Sequence, residues 1–443
     1  METLALITVV VFCITIAFVI WGKYDSAIVG LIGVVVMIVL GVMDEATAFL
    51  SVDWNVIAIL FSIWIIAIYF GKSGIPEYLA IKMLQLSRNN IGLFLMLIGI
   101  LAGFLSMFVD NVVVILMMAP VIFHITRKMK LATFPFLMFV GLCANFMGTA
   151  LLLGDLPPQM LHSVAGIEFP EFIWQFGRPS SFILLTITFL ITAVIMYQIR
   201  FRKTYAGIAA TGVDELLSAK PTEYIKNKNF AIVSVGFFLL TILAMSFRQV
   251  LGYHLGFIAL MGMVALVIAN ELFAKKLESP TVEDVLKELD WRALLFYIVL
   301  FILVGGLEHV GVIEMVAAAM APYFAHNVVL GTSLLYWVTS PIVAFVEHDA
   351  YILVFLKLIK DLAATTGINP WPLWWALVWA GTLGSNLTIA GAPALFVAKN
   401  LAEGEDKVKV FLKEFLSYSA PFVFISLAIQ YVLTLIFWVF PFA

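Results

Sequence analysis

The chain has 443 residues, of which 63% are hydrophobic and only 12% charged, with a formal net charge of −3 at pH 7. Soluble domains carry about 25% charged residues, so this chain has too little polar surface to coat a globule, and a soluble protein is excluded. The mildly acidic balance also argues against a nucleic-acid partner. The partner it calls for is a lipid bilayer.

Apolar segments fall near 4–21, 27–43, 54–71, 91–126, 131–155, 180–199, 230–247, 255–273, 291–309, 328–362, 371–398 and 418–440. Runs of roughly 18 residues between short charged loops predict membrane helices rather than barrel strands, so the fold class is all-α and polytopic. Residues 1–20 lack a basic leader and an A-x-A-like cleavage site, and read as a retained first span. Cys13 and Cys143 lie in apolar runs and predict neither a disulfide framework nor a cysteine metal site.

Basic residues orient the spans. Arg200, Arg202, Lys203, Lys220, Lys226 and Lys228 crowd the polar stretch 200–229, which reads as a cytoplasmic linker. Lys72, Lys82 and Arg88, then Arg127, Lys128 and Lys130, then Lys275, Lys276 and Lys287 fall on the same side. Both termini then lie outside, in what reads as the cytoplasmic membrane of a prokaryote. This parity requires 91–126 and 328–362 each to enter and leave on one face. Each is about twice one bilayer crossing. The apolar flanks of Asp110-Asn111 and of Glu347-His348-Asp349 carry no turn chemistry, which favours re-entrant hairpins over paired spans.

The two hairpin centres, Asp110 and Glu347, define an offset in numbering of 347 − 110 = 237. Asp53-Trp54 and Asp290-Trp291 share that offset, as do Gly74 and Gly311, Glu77 and Glu314, and Gly154 and Gly391. Five crossings precede the linker and five follow, so the second copy is expected upside down relative to the first. The division is 1–199 and 230–443, two inverted-topology repeats with a site near the midplane between them. Each hairpin precedes a broken helix, 131–155 and 371–398, where Gly148, Gly154, Gly384 and Gly391 interrupt the helix beside hydroxyl and amide side chains. A break offers carbonyls to a cation and helix N-termini to an anion. One such break is as readily a packing kink; matched breaks after matched acidic hairpins are not.

These residues resemble the ion transporter superfamily, in its branch of arsenite pumps, sodium–proton antiporters and P-protein permeases. The resemblance rests on the two Asp-Trp pairs, Asp110-Asn111 with Pro120, Asn145–Pro158, Gly367–Trp375 and Gly384–Pro393. The chain departs from that pattern at Met147, Leu156, Gln159, Glu347-His348-Asp349, Ser385 and Ala394. The resemblance implies a homodimer whose hairpins and broken helices slide as an elevator against a scaffold.

Asp110 is the leading site residue, because a carboxylate at the bilayer centre must bind a cation, find a partner or hold a proton. Asn111 and Thr149 would add neutral oxygens, a candidate sodium set with Asp110. Asn145, Ser385, Asn386 and Thr388 supply further polar groups from the breaks. Asp155 reads equally as a ligand or as a cap opening the Pro157-Pro158 exit. In Glu347, His348 and Asp349 an imidazole between carboxylates is suited to handling protons; the bland alternative is a solvated loop. The remaining histidines, His124, His162, His254, His309 and His326, read as interfacial or loop residues. Trp21, Trp54, Trp174, Trp291, Trp371 and Trp438 read as interface anchors.

Neither break carries Lys or Arg, and acids stand at both tips, so charge favours a cation site. The leading expectation is sodium–proton exchange, with sodium or proton as coupling ion, no cofactor, and a small ion as substrate. The alternative is an anion or metalloid permease for arsenite, antimonite or carboxylates. An intramembrane hydrolase is disfavoured, since the chain lacks Gly-x-Ser-x-Gly and an enzyme has no need of an inverted duplicate.

Overall fold

The computed structural model describes residues 2–21, 23–88, 90–206, 218, 220–324, 327–346 and 348–442. Glu347 and His326 therefore lie outside the described residues, as does most of 207–219 within the expected linker. Among the described residues the chain is helical except for one two-stranded hairpin, Trp174–Gln175 against Arg178–Pro179. Its turn residues Phe176 and Gly177 both have positive φ, 49° and 74°, as the tight right-twisted turn requires.

Among the described residues eight helices are long and apolar enough to cross a membrane, including Trp54–Lys72, Asn111–Met129, Ser181–Thr204, Trp291–His309 and Leu412–Phe442. Six helices begin at Trp54, Ile75, Ile91, Asn111, Phe134 and Leu156. Six more begin at Trp291, Val312, Val328, His348, Trp371 and Pro393, each at the repeat offset from its counterpart (291 − 54 = 237, and so for every pair). The offset read from motifs is thus an offset of whole elements.

The Asp-Trp pairs explain part of it. Asp53 and Asp290 accept the amides of Val56 and Ala293, each at 3.0 Å, and so cap the helices that follow. The indoles of Trp54 and Trp291 reach back five residues to the carbonyls of Phe49 and Leu286, at 3.2 and 2.9 Å. Each motif clamps a short helix, Glu45–Leu50 or Val282–Glu288, onto the start of a span. On the first of these, hydrogen bonding from Thr47 holds the Asp44 carboxyl below its ordinary range.

The segment 91–126 is two helices, Ile91–Ser106 and Asn111–Met129, joined by four residues; 328–362 is Val328–Val343 and His348–Thr366. The broken spans are Phe134–Met147 with Leu156–Ala165, and Trp371–Ser385 with Pro393–Asp406. Two expectations are corrected here. The first broken helix does not end at 155, because Pro157 and Pro158 sit in the first turn of a resumed helix, where a missing amide costs nothing. Gly384 lies inside Trp371–Ser385 and Gly148 keeps helical dihedrals as its segment's C-cap, so neither itself breaks the helix.

Phe134–Met147 is buried at every position, and Trp371–Ser385 at every position after the first. Each packs along the first leg of its own hairpin. At Gly384 a Cβ would come within 2.5 Å of the Ser340 carbonyl, so this glycine serves that close contact. Around this centre the apolar faces of Glu2–Trp21, Lys228–Ser246 and Leu255–Leu272 are exposed, as lipid-facing surfaces are. Trp438 is not an interface anchor: it is fully buried and donates to the Pro179 carbonyl at 3.1 Å. His162 lies in a helix, not a loop, with Nδ1 2.6 Å from the Ile167 carbonyl.

Candidate functional site

The four residues closing the first hairpin end on Asp110. Its Oδ1 accepts the amides of Val112 and Val113 at 2.9 and 3.2 Å, capping Asn111–Met129. No hydrogen bond to Oδ2 forms among the described residues, and Asp110 lines a cavity of about 1110 Å³. The cavity runs from Lys72, Glu288 and Arg292 to Asp110, Ile389, Ala390 and Pro393. Lys72 pairs with Glu288 at 2.5 Å and Arg292 with Asp25 at 3.5 Å, while Glu77 and Asp290 add further acid.

Behind Asp110, Asn111 turns into the protein. Its Nδ2 donates to Asn145 Oδ1 at 2.9 Å and to Asp155 Oδ2 at 3.0 Å. Asn145 Nδ2 in turn donates to Ser385 Oγ at 3.1 Å and Asn386 Oδ1 at 3.2 Å. The hydroxyls of Thr149 and Thr382 meet at 2.7 Å. All of these side chains are buried, so the network joins the first break to the second by direct contacts. Asp155 keeps both of its expected roles, since its Oδ1 accepts the Leu156 amide at 2.9 Å and caps the resumed helix.

His348 opens the second leg of its hairpin. Its Nδ1 is 3.0 Å from the Gly391 carbonyl, an acceptor, so Nδ1 carries hydrogen. Nε2 then faces Asp349 Oδ1 at 3.4 Å and Asp155 Oδ2 at 4.0 Å. Ligand atoms of Asp155, His348 and Asp349 all lie within 4.8 Å of one another, and all three residues are buried. A bare imidazole lone pair facing two carboxylates is unfavourable at these distances. A proton on Nε2, or a cation among the three, removes the conflict.

The structure therefore brings together Asn111, Asn145, Thr149, Asp155, His348, Asp349, Ser385 and Asn386. Of the expected sodium set Asp110, Asn111 and Thr149, Thr149 bonds Thr382, Asn111 bonds Asn145 and Asp155, and Asp110 lines the cavity. Thr388 stands apart too, donating to the Ala344 carbonyl and tying the second break to its hairpin. Thr382 joins the site without being among the expected residues, although it is the repeat counterpart of Asn145 (382 − 145 = 237) and the offset points to it.

The break carbonyls are also less free than a sequence reading expects. Trp379 donates to Ser181 Oγ at 2.9 Å, and Ser181 donates to the Thr149 carbonyl at 2.9 Å. Ser419 does the same for Leu387 at 2.9 Å. Gly154 and Gly391 serve close approach: a Cβ would come within 2.1 Å of the Ser106 carbonyl at the first and 2.5 Å of the Val343 carbonyl at the second.

Comparison with known proteins bears on this arrangement. The chain is 26% identical over 408 residues to an uncharacterized transporter of Mycobacterium tuberculosis, covering 90% of this chain and 91% of that one. It is 23% identical over 405 residues to the magnetosome protein MamN of Magnetospirillum gryphiswaldense, covering 90% and 88%. The human P protein is 22% identical over 423 residues, 80% of this chain and 50% of that protein. Among solved structures, MtrF of Neisseria gonorrhoeae shares the fold with a TM-score of 0.56 at 12% identity, over 92% of this chain and 85% of that one. The citrate transporter family matches residues 16–380. The chain belongs to that family, within the ion transporter superfamily its motifs resemble, and is a multi-pass secondary transporter of the membrane.

Proposed function

We propose that this transporter is cation-coupled and exchanges sodium for protons at a midplane site between its two hairpin tips. The observation that carries the reading is His348 Nε2 held between Asp155 and Asp349, with Nδ1 committed to Gly391. That trio accommodates either a proton or a cation, and two species competing for one position is what exchange requires. No Lys or Arg side chain is bonded to it among the described residues, so an anion finds no fixed counter-charge there.

Two inverted repeats, residues 1–199 and 230–443, supply the frame. Supporting this, the start of the first broken span meets the end of the second: Asp406 accepts the amides of Thr133 and Phe134 at 2.8 and 3.3 Å. The first hairpin is re-entrant on this reading. Its tip stops at the break, while Leu156–Ala165 continues past it to bring Ser163 against Asp53. On this reading the 200–229 linker is cytoplasmic and both termini are outside, which the basic clusters support. Arg127 pairs with Glu405, so hairpin and broken spans are tied into one body suited to elevator movement within a homodimer.

A second reading, transport of a small carboxylate or other anion, is favoured by a different observation. Helices beginning at Asn111, Leu156, His348 and Pro393 all turn their N-termini to the site, and the matching family is described by citrate. Proteoliposomes with an imposed pH gradient separate the two. Collapse of the gradient on adding sodium or lithium supports exchange. A sodium-insensitive proton signal accompanying arsenite or carboxylate flux overturns it.

A further inference from the structure

The cavity beside Asp110 has the size and wall of a site for an organic molecule. At about 1110 Å³ it is as large as pockets that enclose drug-sized ligands. Much of its wall is apolar, with Val112, Val113, Leu116 and Ile389 among the lining residues. A bare metal cation would have to give up water there for very few protein oxygens, which is costly. An amine on an apolar body meets no such mismatch, because burying the body offsets what the charge loses.

Charge selects the sign of that molecule. Among the described residues five acids line the cavity, Asp25, Glu77, Asp110, Glu288 and Asp290, against two bases, Lys72 and Arg292. Both bases are already engaged, by Glu288 and Asp25. Glu77, Asp110 and Asp290 take part in no salt bridge among the described residues, and Glu77 Oε2 is buried with no hydrogen-bond partner among them. The same wall carries six aromatic side chains, Trp21, Tyr24, Trp64, Phe296, Tyr297 and Phe396. Aromatic faces attract ammonium and guanidinium groups. Two of these rings already do so within the chain: the Lys23 ammonium lies 5.2 Å from the Trp21 ring centroid and 5.5 Å from that of Tyr24. Phe396, in the first turn of the helix that resumes after the second break, is 53% exposed.

We infer that this cavity binds an amphipathic organic cation, a protonated or quaternary amine on an aromatic or aliphatic body, with its nitrogen at Asp110 and its body against the wall that includes Phe396. The carboxylate of a similarly shaped acid would meet unpaired acids instead, so the wall discriminates by repulsion as well as attraction. The inference goes beyond sodium–proton exchange and does not rest on it, since it concerns the cavity in front of Asp110 and not the His348 trio behind it.

Calorimetric binding of 4-phenylbutylammonium to the full-length protein in nanodiscs tests it, with empty nanodiscs as the blank. Two probes of similar shape serve as controls, neutral 4-phenylbutanol and anionic 5-phenylpentanoate. The ammonium is expected to bind about tenfold more tightly than the alcohol, the worth of one charge-assisted contact, and the pentanoate more weakly than either. Asp110→Asn, which keeps the helix cap, should weaken the ammonium roughly tenfold and leave the alcohol unchanged. Phe396→Ala, at an exposed position, should weaken the ammonium about three- to fivefold, and with the ranking of the three probes it carries the test if Asp110→Asn does not fold. An alcohol that binds as tightly as the ammonium would make this an apolar pocket for lipid tails and overturn the proposal. So would preference for the pentanoate, or an ammonium affinity that ignores both substitutions. Calorimetry reads binding and not flux, so a failed sodium assay beside the expected ranking removes the exchange reading alone. Sodium-driven proton movement without ammonium selectivity removes only the organic-cation site.

Discussion

Thr149 of the first half and Thr382 of the second meet hydroxyl to hydroxyl at 2.7 Å, fully buried. Applying the repeat offset to both turns this pair into Asn386 and Asn145, which are also bonded, at 3.2 Å. One contact thus maps onto the other when the 237-residue offset is applied, and the two breaks meet in the polar network.

That pairing gives a first prediction. Thr149→Val or Thr382→Val leaves one buried hydroxyl unsatisfied and should cost about 1–3 kcal/mol of stability. The double change removes both partners and should cost less than the sum of the singles. Thermal unfolding of the four proteins in detergent measures it; strict additivity would show that the hydroxyls are not coupled.

Asp110 is both a helix cap and an acid facing a cavity, and substitution separates the roles. Asparagine caps nearly as well as aspartate, whereas alanine costs about 1 kcal/mol. Asp110→Asn should therefore keep the melting temperature and lose transport, while Asp110→Ala loses both. Normal flux in a stable Asp110→Asn protein would reduce Asp110 to a cap.

The break glycines should divide sharply. Gly154→Ala and Gly391→Ala drive a methyl into the hairpin backbone and should each cost about 1–3 kcal/mol or more. Gly236→Ala, where a Cβ meets nothing within 4 Å, should gain roughly 0.5–1 kcal/mol of helix stability. Expression level and thermal stability across the three variants decide the matter; equal tolerance would mean that the breaks relax easily.

If His348 exchanges a proton with Asp155 and Asp349, then His348→Asn, whose amide nitrogen stands where Nδ1 does, should keep the Gly391 contact and lose the exchanging group. The pH profile of flux should flatten, with protein abundance unchanged. A profile that keeps its shape would assign the pH dependence elsewhere.

Much of this is legible in the sequence because hydropathy and spacing report elements directly. Asp53-Trp54 and Asp290-Trp291 announce the repeat, and the hairpin and break positions follow from acids and glycines in apolar runs. What escapes has physical causes. Ile75–Leu86 and Val312–Phe324 carry Glu77, Lys82 and Glu314, so they fall below the signal of a spanning helix. Pro157-Pro158 reads as an exit from a helix although proline is at home in a first turn. Which polar side chains face each other across the two breaks depends on packing between halves. Thr382 is marked in the sequence only by its offset from Asn145, and Asp110 and Asn111, adjacent along the chain, make contacts with different surroundings.

The central claim is most directly tested by sodium-evoked proton movement in proteoliposomes carrying a pH-sensitive dye, with wild type, Asp155→Asn and His348→Gln compared at equal protein density. The account predicts a sodium-dependent collapse of the pH gradient in wild type and its loss in both variants. Proton movement that ignores sodium, or that survives both substitutions, would contradict it.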